Sequence, residues 1–246
     1  MKIIKTKYIV AKEVSEIPET LAIFKNRKKL HEGSKPPKFF VYIHDLAWNA
    51  FINHGNRVYN EIKHEAQGIF IGHYYKDTFG EFVVATIYEE STGNSQSAYV
   101  EMSEECLAKI SEKCQNDDAL MLIWVHTHPN MSVSFSRTDN NCLKTNFYKH
   151  YQIGLVVDIL NDQIKGYRTK GTDVVEYSDY ILFDNDKNRL YPPYSPKIKI
   201  IRESDKLKTK IEFLEQENDA LKKKLQVLSS RGRERKTIKD RRCRRR

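Results

Sequence analysis

The run Leu120-Met121-Leu122-Ile123-Trp124-Val125, which continues into His126-Thr127-His128 and stops at Pro129, constrains this chain more than any other stretch. Uninterrupted apolar residues of this kind read as a buried strand. On a strand, residues i and i+2 project to one face, so His126 and His128 point the same way. Pro129 has no N–H for a sheet ladder and sends the chain off as a loop. The two imidazoles therefore stand together at the carboxyl end of a strand, where α/β folds carry their sites.

Asp139, carried on whatever follows the loop, supplies a third ligand of oxygen type. Two histidines with one carboxylate suit a catalytic zinc ion, the fourth position being left to water. Ser136-Arg137-Thr138-Asp139 has a second reading as the capping box that opens a helix, with the Ser136 hydroxyl accepting from the backbone and the acid reaching back. The two readings are compatible, because a helix cap also aims the acid.

His126-Thr127-His128-Pro129, Ser136 and Asp139, at this spacing, resemble the signature of the JAMM zinc metalloproteases, also called MPN-plus or JAB-domain proteins. That family pairs the signature with an upstream glutamate in an E-x-x-G-x-hydrophobic-x-G context, and Glu65-Ala66-Gln67-Gly68-Ile69-Phe70-Ile71-Gly72 matches it. Trp124 and the segment Ile153 to Asp158 are similar to the family as well, so the likeness runs from about residue 40 to 180. The resemblance implies an α/β fold of the JAMM/MPN type, which is cytidine-deaminase-like, with a mixed sheet flanked by helices. It also implies one catalytic Zn2+ held by His126, His128 and Asp139. Glu65 would serve as general base and then acid, and Ser136 as donor to the oxyanion. The activity implied is that of a prokaryotic-type, deubiquitinase-like isopeptidase, cleaving at the C-terminus of ubiquitin or a ubiquitin-like modifier. No position of the signature departs from the pattern. Only a short segment separates Asp139 from the next strand, which leaves little room there for a large substrate-reading insertion.

Two further readings stay open. One keeps the zinc and makes the chain an amidase acting on a short peptide or sulfur-carrier tail. The other makes it an interaction scaffold working through its C-terminal coil, although a scaffold has no use for a base beside an open metal position.

Composition sets the outer limits. A chain of 246 residues with 39% hydrophobic content can form one ordinary domain plus appendages. No apolar stretch approaches a membrane span and the start of the chain lacks the pattern of a signal peptide, so no membrane association and a cytoplasmic location are expected. Cys106, Cys114, Cys142 and Cys243 form no C-x-x-C pair, and Cys142 reads as a small buried hydrophobe. The net charge of +9 is concentrated in the tail from Ser229 to Arg246. That tail reads as disordered, and a nucleic-acid contact there is one possible partner.

Along the chain, residues 1–38 read as an N-terminal extension, 39–185 as the metalloprotease domain, 186–199 as a proline-rich linker, 200–229 as a parallel dimeric coiled coil and 230–246 as the tail. Within the extension, Ile3 to Val10 reads as a strand and Lys25 to Lys29 as a basic loop. Asp45 is expected to cap a helix ending near His54-Gly55, with Ala47, Trp48 and Phe51 on its apolar face. Strands at Gly68 to Tyr75 and Glu81 to Tyr88 flank a turn. Ser103 then caps a helix that buries Leu107 and Ile110. Further strands follow at Gln152 to Asp158, Gln163 to Thr169 and Val174 to Phe183. In the coil, Leu207, Leu214, Leu221 and Leu228 occupy d, and Ile211, Asn218 and Leu225 occupy a. One Asn at a favours a parallel homodimer in register, and the g-to-e pairs Lys210 with Glu215 and Glu217 with Lys222 agree.

Overall fold

Alternation along β-rich segments builds a sheet with two different covers. The computed structural model describes residues 12–31, 36–91, 95–96, 99–100 and 104–194, together with 211, 214 and 222. Its elements in order are β1 (Lys12–Glu13), two 3-10 segments (Val14–Glu16 and Glu19–Asn26), α1 (Arg27–Leu30), β2 (Phe39–His44), α2 (Asp45–Ile62), β3 (Gln67–Asp77), β4 (Gly80–Glu90), a small pair β5 (Ser95–Gln96) and β6 (Tyr99–Val100), α3 (Glu104–Asn116), β7 (Leu120–Thr127), α4 (Arg137–Asn146), β8 (Ile153–Asp158), β9 (Gln163–Lys170), β10 (Asp173–Tyr177), β11 (Tyr180–Asp184) and β12 (Arg189–Tyr191).

One mixed sheet runs β10-β9-β8-β7-β3-β4-β2-β11-β12, with β1 joined to the far end of β3. β7 lies antiparallel to β3 and parallel to β8, so the strand that carries the histidines is central. Phe70 points to α2, where it meets Trp48 and Phe51 at ring separations of 6.4 and 6.1 Å. Its neighbours Ile69 and Ile71 point to the other face and share a core with Trp124, with Cys106, Ile110 and Cys114 of α3, and with Leu143 of α4. This is the period-two logic of a strand covered on both sides. Farther along that face, Ile17, Leu21 and Phe24 cover Phe40, Tyr42, Tyr75 and Phe82. The sheet thus gives a mixed α/β fold, as the sequence predicts.

Several expectations need correction. Lys25 to Lys29 is no loop: it spans the end of a 3-10 segment and α1. Arg27 is 1% exposed and donates through Nε and Nη2 to Asp77 at 2.7 and 2.8 Å, which is how a charge tolerates burial. α2 continues past Gly55 to Ile62, ending at Lys63 with φ of 58°. Gly55 is there for close packing, since a Cβ on it would lie 3.0 Å from Thr127 Cγ2. His44, not Asp45, caps that helix, its Nδ1 accepting from Leu46 N at 3.1 Å, while Asp45 accepts from the Tyr191 hydroxyl. On α3 it is Cys106 that is buried with Ile110, and Leu107 is 39% exposed. Val174 to Phe183 divides into β10 and β11, and the sheet continues into the expected linker as β12.

The chain separates into two compact units, Met1–Ser195 and Pro196–Arg246. In the second, Ile211, Leu214 and Lys222 are helical, and Ile211 and Leu214 are 53% and 50% exposed. The remainder of the expected coil, Ile3 to Val10, Ser103 and the basic tail lie outside the described residues. No helix among the described residues is long and apolar enough to cross a membrane.

Glycines at 68 and 72 are demanded by the sheet itself. A Cβ on Gly68 would lie 2.4 Å from Glu89 O, and one on Gly72 would lie 1.9 Å from Val84 O. Gly72 sits where the register with β4 shifts between Ile71 and Gly72, a bulge that draws the backbones together. Gly72→Ala is therefore expected to lower unfolding free energy by about 3 kcal/mol, the upper range for overpacking, in urea titrations of the full chain. An unchanged midpoint would mean that β3 and β4 do not approach this closely.

Candidate metal centre

Two chain crossings assemble the site. β7 ends with His126 and Thr127, and His128 is held just beyond it by its N–H donating to Val157 O at 2.9 Å. Because β3 runs antiparallel, its first residue Gln67 lies opposite His126, and the residues just before it reach the same end. Thr127 secures that approach twice. Its N–H donates to Ala66 O at 2.8 Å, and its Oγ1 accepts from Ala66 N at 2.8 Å. Glu65, next in the chain, is thereby brought beside the histidines, with Oε1 3.7 Å from His128 Nε2.

Asp139 arrives from a third direction, on the first turn of α4. Ser136 is the N-cap: its Oγ accepts from Asp139 N at 3.1 Å, and its own N–H donates to Asp139 Oδ2 at 2.7 Å. Both halves of the capping box are present. The cap leaves the carboxylate with Oδ1 3.6 Å from His126 Nε2 and Oδ2 3.8 Å from His128 Nε2. The two readings of Ser136-x-x-Asp139 are thus one arrangement.

The protonation pattern suits a cation. His128 Nδ1 lies 2.8 Å from Ser132 O, an acceptor only, so Nδ1 carries the proton and Nε2 offers its lone pair to the site. His126 is 3% exposed, and neither of its ring nitrogens has a hydrogen-bond partner among the described residues. Burial would raise the Asp139 carboxyl, but His126 and the Ser136 N–H and hydroxyl outweigh it and hold that carboxyl below the usual range. Burial pushes Glu65 up to about 7; His128 opposes the rise and the Asp139 charge adds to it. Ligand atoms of His126, His128 and Asp139 all lie within 4.8 Å of one another, so these three residues could hold a metal ion. The donor set, two imidazoles and one carboxylate with an orphaned buried nitrogen, fits such an ion.

Residues 48–169, which include all these side chains, match the family described as prokaryotic homologs of the JAB domain. This segment is a prokaryotic JAB domain. Members of that family are often hydrolytic metalloenzymes. Among solved structures, a protein of Desulfitobacterium hafniense determined in solution is similar, with 15% identity, 58% of this chain and 93% of that chain covered, and a TM-score of 0.44. No curated protein matches the chain.

Within the JAB domain, the five residues singled out from sequence lie at one place, with Ser136 at its exposed rim. Sequence reasoning missed the residues that hold them. Thr127, on the opposite strand face from its two histidine neighbours, is fully buried. Asp158 closes the loop after Pro129: its Oδ1 accepts from Asn130 N at 3.1 Å and Leu160 N at 3.0 Å, joining the turn that follows His128 to the turn after β8. Alternation on β7 is the one signal that separates Thr127 from the histidines; its partner Ala66 is visible only in space. Thr127→Val keeps the shape and orphans the Ala66 N–H, so it should cost about 1–3 kcal/mol in urea unfolding of the metal-free protein. Parent-like stability would mean that this clamp contributes nothing.

Proposed function

We propose that the chain is a zinc-dependent isopeptidase or peptidase that cleaves at the C-terminus of a ubiquitin or ubiquitin-like modifier. The observation that carries this reading is a buried carboxylate beside, but outside, a three-residue ligand set. A structural zinc site is closed by four protein ligands, whereas three leave a position for water. Glu65 lies beside that set, with Oε1 3.7 Å from His128 Nε2.

His126, His128 and Asp139 would hold a divalent ion, whose Lewis acidity would make a water molecule acidic near neutral pH and polarise a carbonyl. Glu65 would take a proton from the attacking water, a task for a carboxylate placed beside the ligand set. As the C–N bond breaks, Glu65 returns that proton to the leaving amine. Ser136, at the exposed rim, would turn its hydroxyl from Asp139 to the carbonyl oxygen as charge grows there, the role the signature implies. The modifier as substrate is supported by the sequence signature.

Residues 200–229 are proposed to pair two chains. The heptad and its charge pattern support this, as do helical Ile211 and Leu214, apolar a and d residues that remain about half exposed in the single chain.

Two experiments test these proposals. On lysine-linked conjugates of ubiquitin and bacterial ubiquitin-like proteins, Glu65→Gln should retain bound zinc and lose roughly 100-fold or more in cleavage, the usual contribution of a general base. His126→Ala should lose the zinc as well. Glu65→Gln cleaving like the parent would remove the mechanism, whereas a parent that cuts only short peptide tails would redirect it to an amidase. In light scattering of the full chain, Leu214→Glu combined with Leu221→Glu should halve the particle mass; an unchanged mass would exclude the coil as the dimer contact.

A further inference from the structure

His126 and His128 are held by different means. A ligating imidazole normally donates its second N–H to a carboxylate, carbonyl or water, which fixes the ring. His128 does so through Ser132 O at 2.8 Å, whereas His126 has no such partner among the described residues. Its ring is instead laid on an indole: Trp124 stacks on it with centroids 4.5 Å apart and planes 23° apart. Phe135 closes another side at 5.5 Å. Trp124 and His126 are i and i+2 on β7, so the stack follows from strand geometry.

The indole is itself anchored. Its Nε1–H donates to Gln67 Oε1 at 3.2 Å, and Gln67, 2% exposed, is the cross-strand neighbour of His126. The Phe147 ring lies parallel to it at 5.9 Å, with planes 8° apart. Phe147 follows α4, the helix that delivers Asp139, so the packing that fixes the indole also ties β7 to the helix of the third ligand.

We infer that Trp124, anchored by Gln67 and Phe147, is a positioning residue that presents the His126 imidazole to the metal by stacking, in place of a hydrogen bond. The inference rests on the reading of His126, His128 and Asp139 as metal ligands. An imidazole with free side-chain torsions must give up that freedom when it ligates, and a ring already held against an indole has less to lose.

The test is a Co2+ titration of the metal-free full chain, followed by visible absorption, with thermal melting of each variant recorded before metal is added. The parent should bind Co2+, and Trp124→Phe, which keeps an aromatic face, should bind with similar affinity. Trp124→Leu should bind roughly 10- to 100-fold more weakly, the range for loss of a group that orients a ligand. Gln67→Leu, which leaves the indole but releases its anchor, should weaken binding in the same direction. A parent that binds no Co2+ would remove the metal reading itself. A parent that binds, with a folded Trp124→Leu binding equally tightly, would overturn only the stacking role. Should Trp124→Leu fail to fold, parent-like affinity in Gln67→Leu overturns it instead.

Discussion

The two hydrogen bonds between Thr127 and Ala66 set the terms for the rest of the site. Glu65 lies just ahead of β3, and the histidines lie at the end of β7, so nothing local relates them. Antiparallel pairing brings the start of one strand beside the end of the other, and Thr127 then ties the last residue before β3 in place through both its backbone and its side chain. The glycines at 68 and 72 belong to the same constraint on the opposite side of β3, where β4 approaches too closely for any side chain. β3 is thus gripped on both edges, and a carboxylate at its entrance inherits that rigidity.

What the grip holds is electrostatically uneasy. Two imidazoles and two carboxyl groups share a pocket in which His126 is 3% and Glu65 9% exposed. Removing such groups from water is costly unless each finds a partner. Asp139 is compensated by the helix cap and His126, and its carboxyl stays ionised; Glu65 is not, and burial favours its protonated form. The same fold therefore separates two chemically identical groups into one suited to ligation and one suited to moving protons. A buried polar cluster that a stable core would avoid is where function is to be sought.

How much of the site and its surroundings is legible in the sequence depends on range. His126, His128, Glu65, Ser136 and Asp139 were legible because a strand period, a proline stop and a capping box are local patterns, and because the upstream glycines have their own spacing. Local pattern is insufficient where distant residues decide. Lys25 to Lys29 has the composition of a surface loop, yet Asp77 on β3 recruits Arg27 into the interior. Gly55 has the look of a helix stop, yet it is a contact point for Thr127 on a helix that runs on. Leu107 fits an apolar stripe, but the face of α3 turned to the sheet carries Cys106, Ile110 and Cys114.

By itself the sequence determined which residues gather at the candidate site and what kind of strand bears them, since residue type and short-range spacing are sufficient for that. It also determined that Asp139 opens a helix, because a capping box needs only four residues. Tertiary structure alone decided how those residues are held: by Thr127 on Ala66, by Asp158 across two turns, and by Trp124 beneath His126. The physical reason is that each of these restraints is a contact between segments brought together by strand order, and strand order depends on packing energies summed over the whole sheet.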